Sequence, residues 1–267
     1  EKSIEILVNK IIKSTKKNKY NFKIIIVNDG SKDATLEKSK ILKKKYINVD
    51  YINLPKNLGK AYALDKGINS TRTEWICIMD ADLQYDPKYL NIFFNEKNFN
   101  YDFINSKREG RSDNFLNIFF SNVYVFFLKL LFKKKYDYFS GLKLFKKKIY
   151  NQLQYKGLVR FLLFYCIKKN LKIKEISIKH KKRLFGKSYT ISQRIRLFFS
   201  DIFTLYFLII SNKKQVQQVE YFLISIFIII SSISILNFNK FIILIILIFI
   251  SCVYSTIKSK IINMNKK

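Results

Sequence analysis

The sequence predicts an α/β protein: a mostly parallel sheet flanked by helices, followed by an interfacial helix and a C-terminal two-helix transmembrane hairpin. Three observations carry this. Strand-like apolar runs recur about every 26 residues through the first part of the chain, the rhythm of βαβ units. Helical patterns fill the intervals between them. Beyond residue 190 the composition turns to runs of Ile, Leu and Phe separated by short polar stretches, a pattern suited to membrane-associated helices.

The strand-like runs lie at 23–27, 49–53, 75–79 and 101–105, with a later one at 174–179. The chain opens in a helical pattern, and others span 34–46, 58–68 and 87–96. Gly67-Ile68-Asn69-Ser70 closes the second of these three, and Pro87 suits the first turn of the third. A further helical stretch, 114–132, carries Asn114, Asn117 and Ser121 as one polar stripe on an aromatic and aliphatic rod. These elements form one domain over 1–190. An amphipathic interfacial helix follows over 191–212, where an apolar run of about 14 residues is too short to span a bilayer. The transmembrane hairpin occupies 219–258. Its two apolar runs, 221–236 and 241–257, are each about 16–17 residues, the lower edge of what crosses a hydrocarbon core. Lys213 and Lys214 precede the hairpin, and Lys258, Lys260, Lys266 and Lys267 follow it. Charge on that side makes both ends cytoplasmic, in a multi-pass protein of the cell (inner) membrane. The hairpin is also a surface through which copies could form a homo-oligomer.

Chemistry concentrates where strands end. Asp80-Ala81-Asp82-Leu83-Gln84 follows the apolar run 75–79, so two carboxylates emerge together at the edge where open parallel sheets bind ligands. Residues i and i+2 can point to one side, and Asp80, Asp82 and the Gln84 amide oxygen make a hard-oxygen set for Mg²⁺ or Mn²⁺. The same residues would also serve as a plain surface turn. Val27-Asn28-Asp29-Gly30-Ser31 closes the first visible strand with Asp29 at the sheet edge; Ser31 or Asp33 is placed to cap the next helix. Asn57-Leu58-Gly59-Lys60 repeats the arrangement and sets Lys60 at a helix start, where an anion would be favoured. A basic cluster, Lys107, Arg108 and Arg111, follows the fourth strand.

The net charge of +31 over 267 residues would ordinarily suggest a polyanion or an anionic membrane. Lys, Ile, Asn, Phe and Tyr are abundant while Gly and Pro are scarce, a skew of AT-rich coding that accounts for roughly half of the excess. No nucleic-acid module accompanies the charge, which argues against a nucleic-acid partner. Cys77, Cys166 and Cys252 are scattered in apolar company without metal spacing. With a single histidine the chain is poorly supplied for acid–base catalysis.

V-N-D-G-S-K-D-A-T, N-L-G-K-A and D-A-D-L-Q-Y-D-P, in this order and spacing, resemble the inverting family 2 glycosyltransferases of the GT-A fold, most nearly the dolichol- and polyprenyl-phosphate mannosyl- or glucosyltransferases. Asp137 to Phe145 resembles that family's D-x-x-x-G-[FL]-[KR]-x-[FL] element and Arg160-Phe161 its R-F pair. His180 to Tyr189 resembles its H-x-x-R-x-x-G-x-S loop, although Tyr189 follows Ser188 directly where the family spaces its aromatic one residue further. The resemblance implies a nucleotide-sugar donor (UDP- or GDP-), a cation held by Asp80, Asp82 and Gln84, and catalysis resting on Asp80, Asp82 and Arg111. It implies that Asp29 and Lys60 bind the nucleotide-sugar with Arg183 and Lys187 of a mobile loop. Lys107, Arg108, Arg111 and Ser121 would then hold the phosphate of a polyprenyl-phosphate (undecaprenyl or dolichyl) acceptor. It also implies an apolar strand ahead of Glu1 that helps hold the base, without which donor would bind poorly. Two alternatives stand beside it. A transferase acting on another lipid or saccharide in cell-envelope glycan synthesis would carry a Q-x-x-R-W-type element, which is not found. A non-catalytic membrane partner is disfavoured by the intact D-A-D-L-Q.

Overall fold

The structure, a computed structural model, describes residues 2–16, 21–96, 100–110, 136–138, 140–153, 159 and 161–181. The chain divides into two compact units, Glu1–Lys187 and Ser188–Lys267, and all described residues lie in the first. The expected interfacial helix and hairpin fall outside the described residues. No helix among the described residues is long and apolar enough to cross a membrane.

The elements in order are α1 (Lys2–Thr15), β1 (Ile24–Asn28), α2 (Thr35–Lys45), β2 (Val49–Asn53), α3 (Lys60–Asn69), β3 (Trp75–Ile78), a 3₁₀ turn (Pro87–Tyr89), α4 (Leu90–Glu96), β4 (Phe103–Glu109), β5 (Lys143–Lys146), α5 (Lys147–Asn151), α6 (Leu162–Lys168) and β6 (Ile173–Lys179). The β-branched run Ile24-Ile25-Ile26-Val27 makes β1 a natural strand. It pairs in parallel with β2 from Ile24 opposite Val49 to Asn28 opposite Asn53. Pro87 takes the first helical position, capped by Asp86, whose carboxylate accepts from the Lys88 N–H at 3.1 Å. Ala34 occupies the N-cap of α2, so neither Ser31 nor Asp33 caps it. Asp33 instead accepts from the Thr35 N–H and hydroxyl at 3.2 and 2.6 Å, a local turn competing with the cap.

The strands predicted as a mostly parallel sheet fall into two sheets. Hydrogen bonding gives a two-stranded sheet β1-β2 and a four-stranded sheet in the order β3-β5-β4-β6. β4 and β6 run parallel over seven residue pairs, while β5 lies antiparallel to both β3 and β4. A helix now joins what the strands do not. In α1, Ile4 and Val8 pack with Ile26, Leu42 and Val49 in the core of the smaller sheet. Ile11, one turn further on the same stripe, packs on the core of the larger one, beside Phe93, Ile104, Leu144 and Ile176. The Ser14 hydroxyl also donates to the Pro87 carbonyl at 3.3 Å.

α3 makes a second tie. Its Asp65, 3% exposed, accepts a hydrogen bond from the Tyr150 hydroxyl of α5, to which Asn69 donates at 3.0 Å. A carboxylate this deep needs its partner. Tyr150→Phe is therefore expected to destabilise the protein by about 1–3 kcal/mol in urea unfolding; an unchanged midpoint would mean the contact contributes nothing.

Candidate active site

Two loops at the carboxyl ends of β1 and β2 are built into each other. Asn28, 2% exposed, donates to Asn53 Oδ1 at 2.8 Å and its own Oδ1 accepts from the Ser31 N–H at 3.2 Å. Gly30 turns the chain at φ +65°, and a Cβ there would collide with the backbone of Lys56 and Asn57. Asp29 then spans the gap. One carboxylate oxygen accepts from the Leu58 N–H at 2.8 Å, the other from the Gly59 N–H at 2.9 Å. Gly59 itself is at φ 92°. These contacts fix the start of α3, whose first residue is Lys60.

Lys60 reaches across to the end of β3, its Nζ 2.5 Å from Asp80 Oδ1, with the two side chains 58% and 29% exposed. The other oxygen of Asp80 lies against Gly141: a Cβ there would stand 2.5 Å from Asp80 Oδ2 and 2.8 Å from the Tyr85 ring. Gly141 arrives at this place because β5 is inserted beside β3. Its N–H donates to the Tyr85 hydroxyl at 2.7 Å. Burial pushes the Tyr85 phenol up to about 12, and the charges of Arg108, Asp80 and Asp137 also act on it. Asp82 accepts from the Gln84 N–H at 3.2 Å. Between them Leu83 sits at φ 62° with its side chain buried, an uncommon conformation for a branched residue that keeps both acidic residues and Gln84 on one tight turn.

The end of β6 docks on this turn. The Lys181 N–H donates to the Gln84 carbonyl at 3.0 Å, and Gln84 Nε2 donates to the Lys181 carbonyl at 3.4 Å. Lys181 Nζ is 2.7 Å from Asp86. Burial works against the charged form of Asp86, but the hydrogen bonds from Lys181 and Lys88 outweigh it and hold its carboxyl below the usual range. His180 is buried, edge-on to Tyr85 with ring centroids 5.2 Å apart, and its N–H donates to the Glu109 carbonyl. It serves here as an end-of-strand residue.

Of the site residues expected from the sequence, Asp29, Lys60, Asp80, Asp82 and Gln84 come together in this cluster. Lys107 is exposed on β4. Arg108, beside it, is bound bidentately to Asp137, Nε and Nη2 each 2.8 Å from a carboxylate oxygen, the pair 10% and 13% exposed. The Asp137 N–H donates to Glu175, which Asn105 also bonds. Arg111, Ser121, Arg183 and Lys187 lie outside the described residues. The sequence reading did not find the parts played by Tyr85, Asp86, Gly141 and Lys181; the run Gln84-Tyr85-Asp86-Pro87 was the available cue.

Among the described residues no group of three or more His, Cys, Asp or Glu side chains converges as a metal cage. Two carboxylates and an amide on one turn nonetheless fit a hard divalent cation that would take its remaining ligands from substrate or water, once Lys60 leaves Asp80.

A Rossmann-like sheet edge carrying such a turn places the site in the glycosyltransferase class. The family model "Glycosyl transferase family 2" matches residues 1–166, and the chain belongs to that family. It is 30% identical over 126 residues to a putative glycosyltransferase of Bacillus subtilis, covering 47% of this chain and 38% of that one. It is 26% identical over 219 residues to the dodecaprenyl-phosphate galacturonate synthase of Rhizobium johnstonii, covering 78% and 64%. The chain thus spans less than two thirds of the length of either relative. The crystal structure of glucosyl-3-phosphoglycerate synthase from Mycobacterium tuberculosis with Mn²⁺, UDP and phosphoglyceric acid superposes with a TM-score of 0.62 at 12% identity, covering 79% of this chain and 75% of that one. The fold is accordingly GT-A.

Removing the Arg108 guanidinium would strand the Asp137 charge in a nearly closed site. Arg108→Met is expected to lower unfolding free energy by about 3 kcal/mol, and Lys107→Met, on the exposed neighbour, by less than about 0.5 kcal/mol. Equal effects in parallel denaturant titrations would refute this division of roles.

Proposed function

We propose that the protein transfers a hexose, with inversion, from a nucleotide-sugar to a polyprenyl phosphate at the cytoplasmic face of the cell membrane. The observation that carries the reading is the meeting of Asp80, Asp82 and Gln84 with Lys60 beside the Asp29-anchored loops. A UDP-bound, Mn²⁺-bound structural neighbour supports the donor class, and a dodecaprenyl-phosphate relative supports the acceptor class.

Asp80, Asp82 and Gln84 would hold Mg²⁺ or Mn²⁺, which when bound offsets charge on the leaving nucleoside diphosphate. Asp29 and the loops it joins would border the nucleoside, and Lys60, with Arg183 and Lys187, would face the diphosphate. Lys107, Arg111 and Ser121 would position the acceptor phosphate, and Arg108 would support them through Asp137. An oxygen of that phosphate attacks the anomeric carbon in line as the bond to the diphosphate breaks. A phosphate monoester has its second pKa near about 6, so the nucleophile is already ionised and no general base is needed. Orientation and charge complementarity supply the acceleration, in keeping with a chain that holds one histidine. The interfacial helix 191–212 and hairpin 219–258 would hold this site at the bilayer surface.

A screen of UDP- and GDP-sugars with undecaprenyl and dolichyl phosphate in membranes tests the reading. One donor should yield a polyprenyl-phosphate-sugar with Mg²⁺ or Mn²⁺, and Asp82→Ala should lower that rate at least ~100-fold. Full activity of Asp82→Ala would remove the cation assignment. Gly141→Ala pushes on the Asp80 carboxylate from behind, and a displaced supporting contact of this kind lowers metal affinity roughly tenfold. Its Mn²⁺ half-saturation should rise accordingly, and an unchanged value would show that Asp80 needs no such seat.

A further inference from the structure

Lys60 contacts one oxygen of Asp80 while the other is pressed toward Gly141. Oδ1 is therefore the oxygen that faces the open side of the turn, and it is the one a divalent cation would take. An ammonium and a divalent ion on the same carboxylate oxygen would sit within a few ångströms and repel strongly. We propose that Lys60 competes with the divalent cation for Asp80: it pairs with the carboxylate before the cation binds, and turns to the donor diphosphate afterwards. This rests on the cation site proposed above for Asp80, Asp82 and Gln84.

The geometry favours an exchange over a permanent pair. Lys60 is 58% exposed, so its contact with Asp80 is a surface ion pair of small net stability and its flexible stem can swing. Its backbone cannot move as freely, because Asp29 holds the Leu58 and Gly59 N–H groups just ahead of it. The ammonium consequently stays within one side-chain length of the cation site in either arrangement. The exchange links the two ligands. A cation arriving with the diphosphate takes Asp80 and provides Lys60 with a new anionic partner in the same event, whereas a cation arriving alone must displace Lys60 without that gain. The enzyme is thereby biased towards the cation–nucleotide complex.

The test reads Mn²⁺ binding directly, by the electron paramagnetic resonance of free Mn²⁺, on the full-chain protein without nucleotide. Lys60→Met should tighten Mn²⁺ binding about two- to fivefold, the range an exposed ion pair allows. Lys66→Met removes the same charge from the same helix, where the ammonium lies 5.2 Å from the Tyr62 ring centroid; it should change the affinity less than about 1.5-fold. In the presence of Mn²⁺, Lys60→Met should bind UDP more weakly than wild type. Mn²⁺ binding that is unchanged or weaker in Lys60→Met overturns the proposal, as does an equal tightening in Lys66→Met. A wild-type protein that takes up no Mn²⁺ overturns the cation site and the competition together.

Discussion

The carboxylate of Asp80 is held from two sides, by Lys60 in front and by the bare Cα of Gly141 behind, and much of the architecture serves to bring those two residues to it. Gly141 is there because β5 runs backwards between β3 and β4. Lys60 is there because Asp29 fixes the turn that starts α3. The smaller sheet contributes the lysine and the larger one contributes the carboxylate and the glycine. α1, with apolar residues in both cores, and the Asp65–Tyr150 contact between α3 and α5 keep the two sheets in register with each other.

Around that centre the polar groups form two connected systems with different tasks. One links the acidic turn to the end of β6 through Gln84, Lys181, Asp86 and the Tyr85–His180 ring pair. Lys181 is thereby fixed against the acidic turn by both its backbone and its ammonium. The other links Arg108, Asp137, Glu175 and Asn105. Burial raises the Glu175 carboxyl above its usual range, and the hydrogen bonds from Asn105 and the Asp137 N–H are what make its position tolerable. This second system joins the end of β4 to Asp137 and to β6.

The sequence made the outer frame legible because the frame depends on local patterns. Apolar runs at 24–28, 49–53 and 75–78 are strands, and Pro87 begins a helical turn. The cluster of Asp29, Lys60, Asp80, Asp82 and Gln84 was legible because Asp29 and the 80–84 turn directly follow strand-like runs and Lys60 starts a helix. β5 was not, since Lys143-Leu144-Phe145-Lys146 is four residues long with a lysine at each end, and only its neighbours on both sides make it a strand. The split into two sheets depends on which edges pair, which periodicity does not encode. Arg108 looked like one more basic residue in a basic cluster; its partner is 29 positions away. The positive φ of Leu83 left no mark in composition at all, because the backbone is held there by burial of the side chain instead of by glycine.

On the proposed function, the turn from Asp80 to Gln84 binds a nucleoside diphosphate through a divalent cation. Calorimetric titration of the full-chain protein with UDP and GDP, with and without Mn²⁺, tests it most directly. One nucleotide should bind at least about tenfold more tightly when Mn²⁺ is present, and Asp80→Asn should remove this difference. Equal affinity with and without Mn²⁺ for both nucleotides would contradict it.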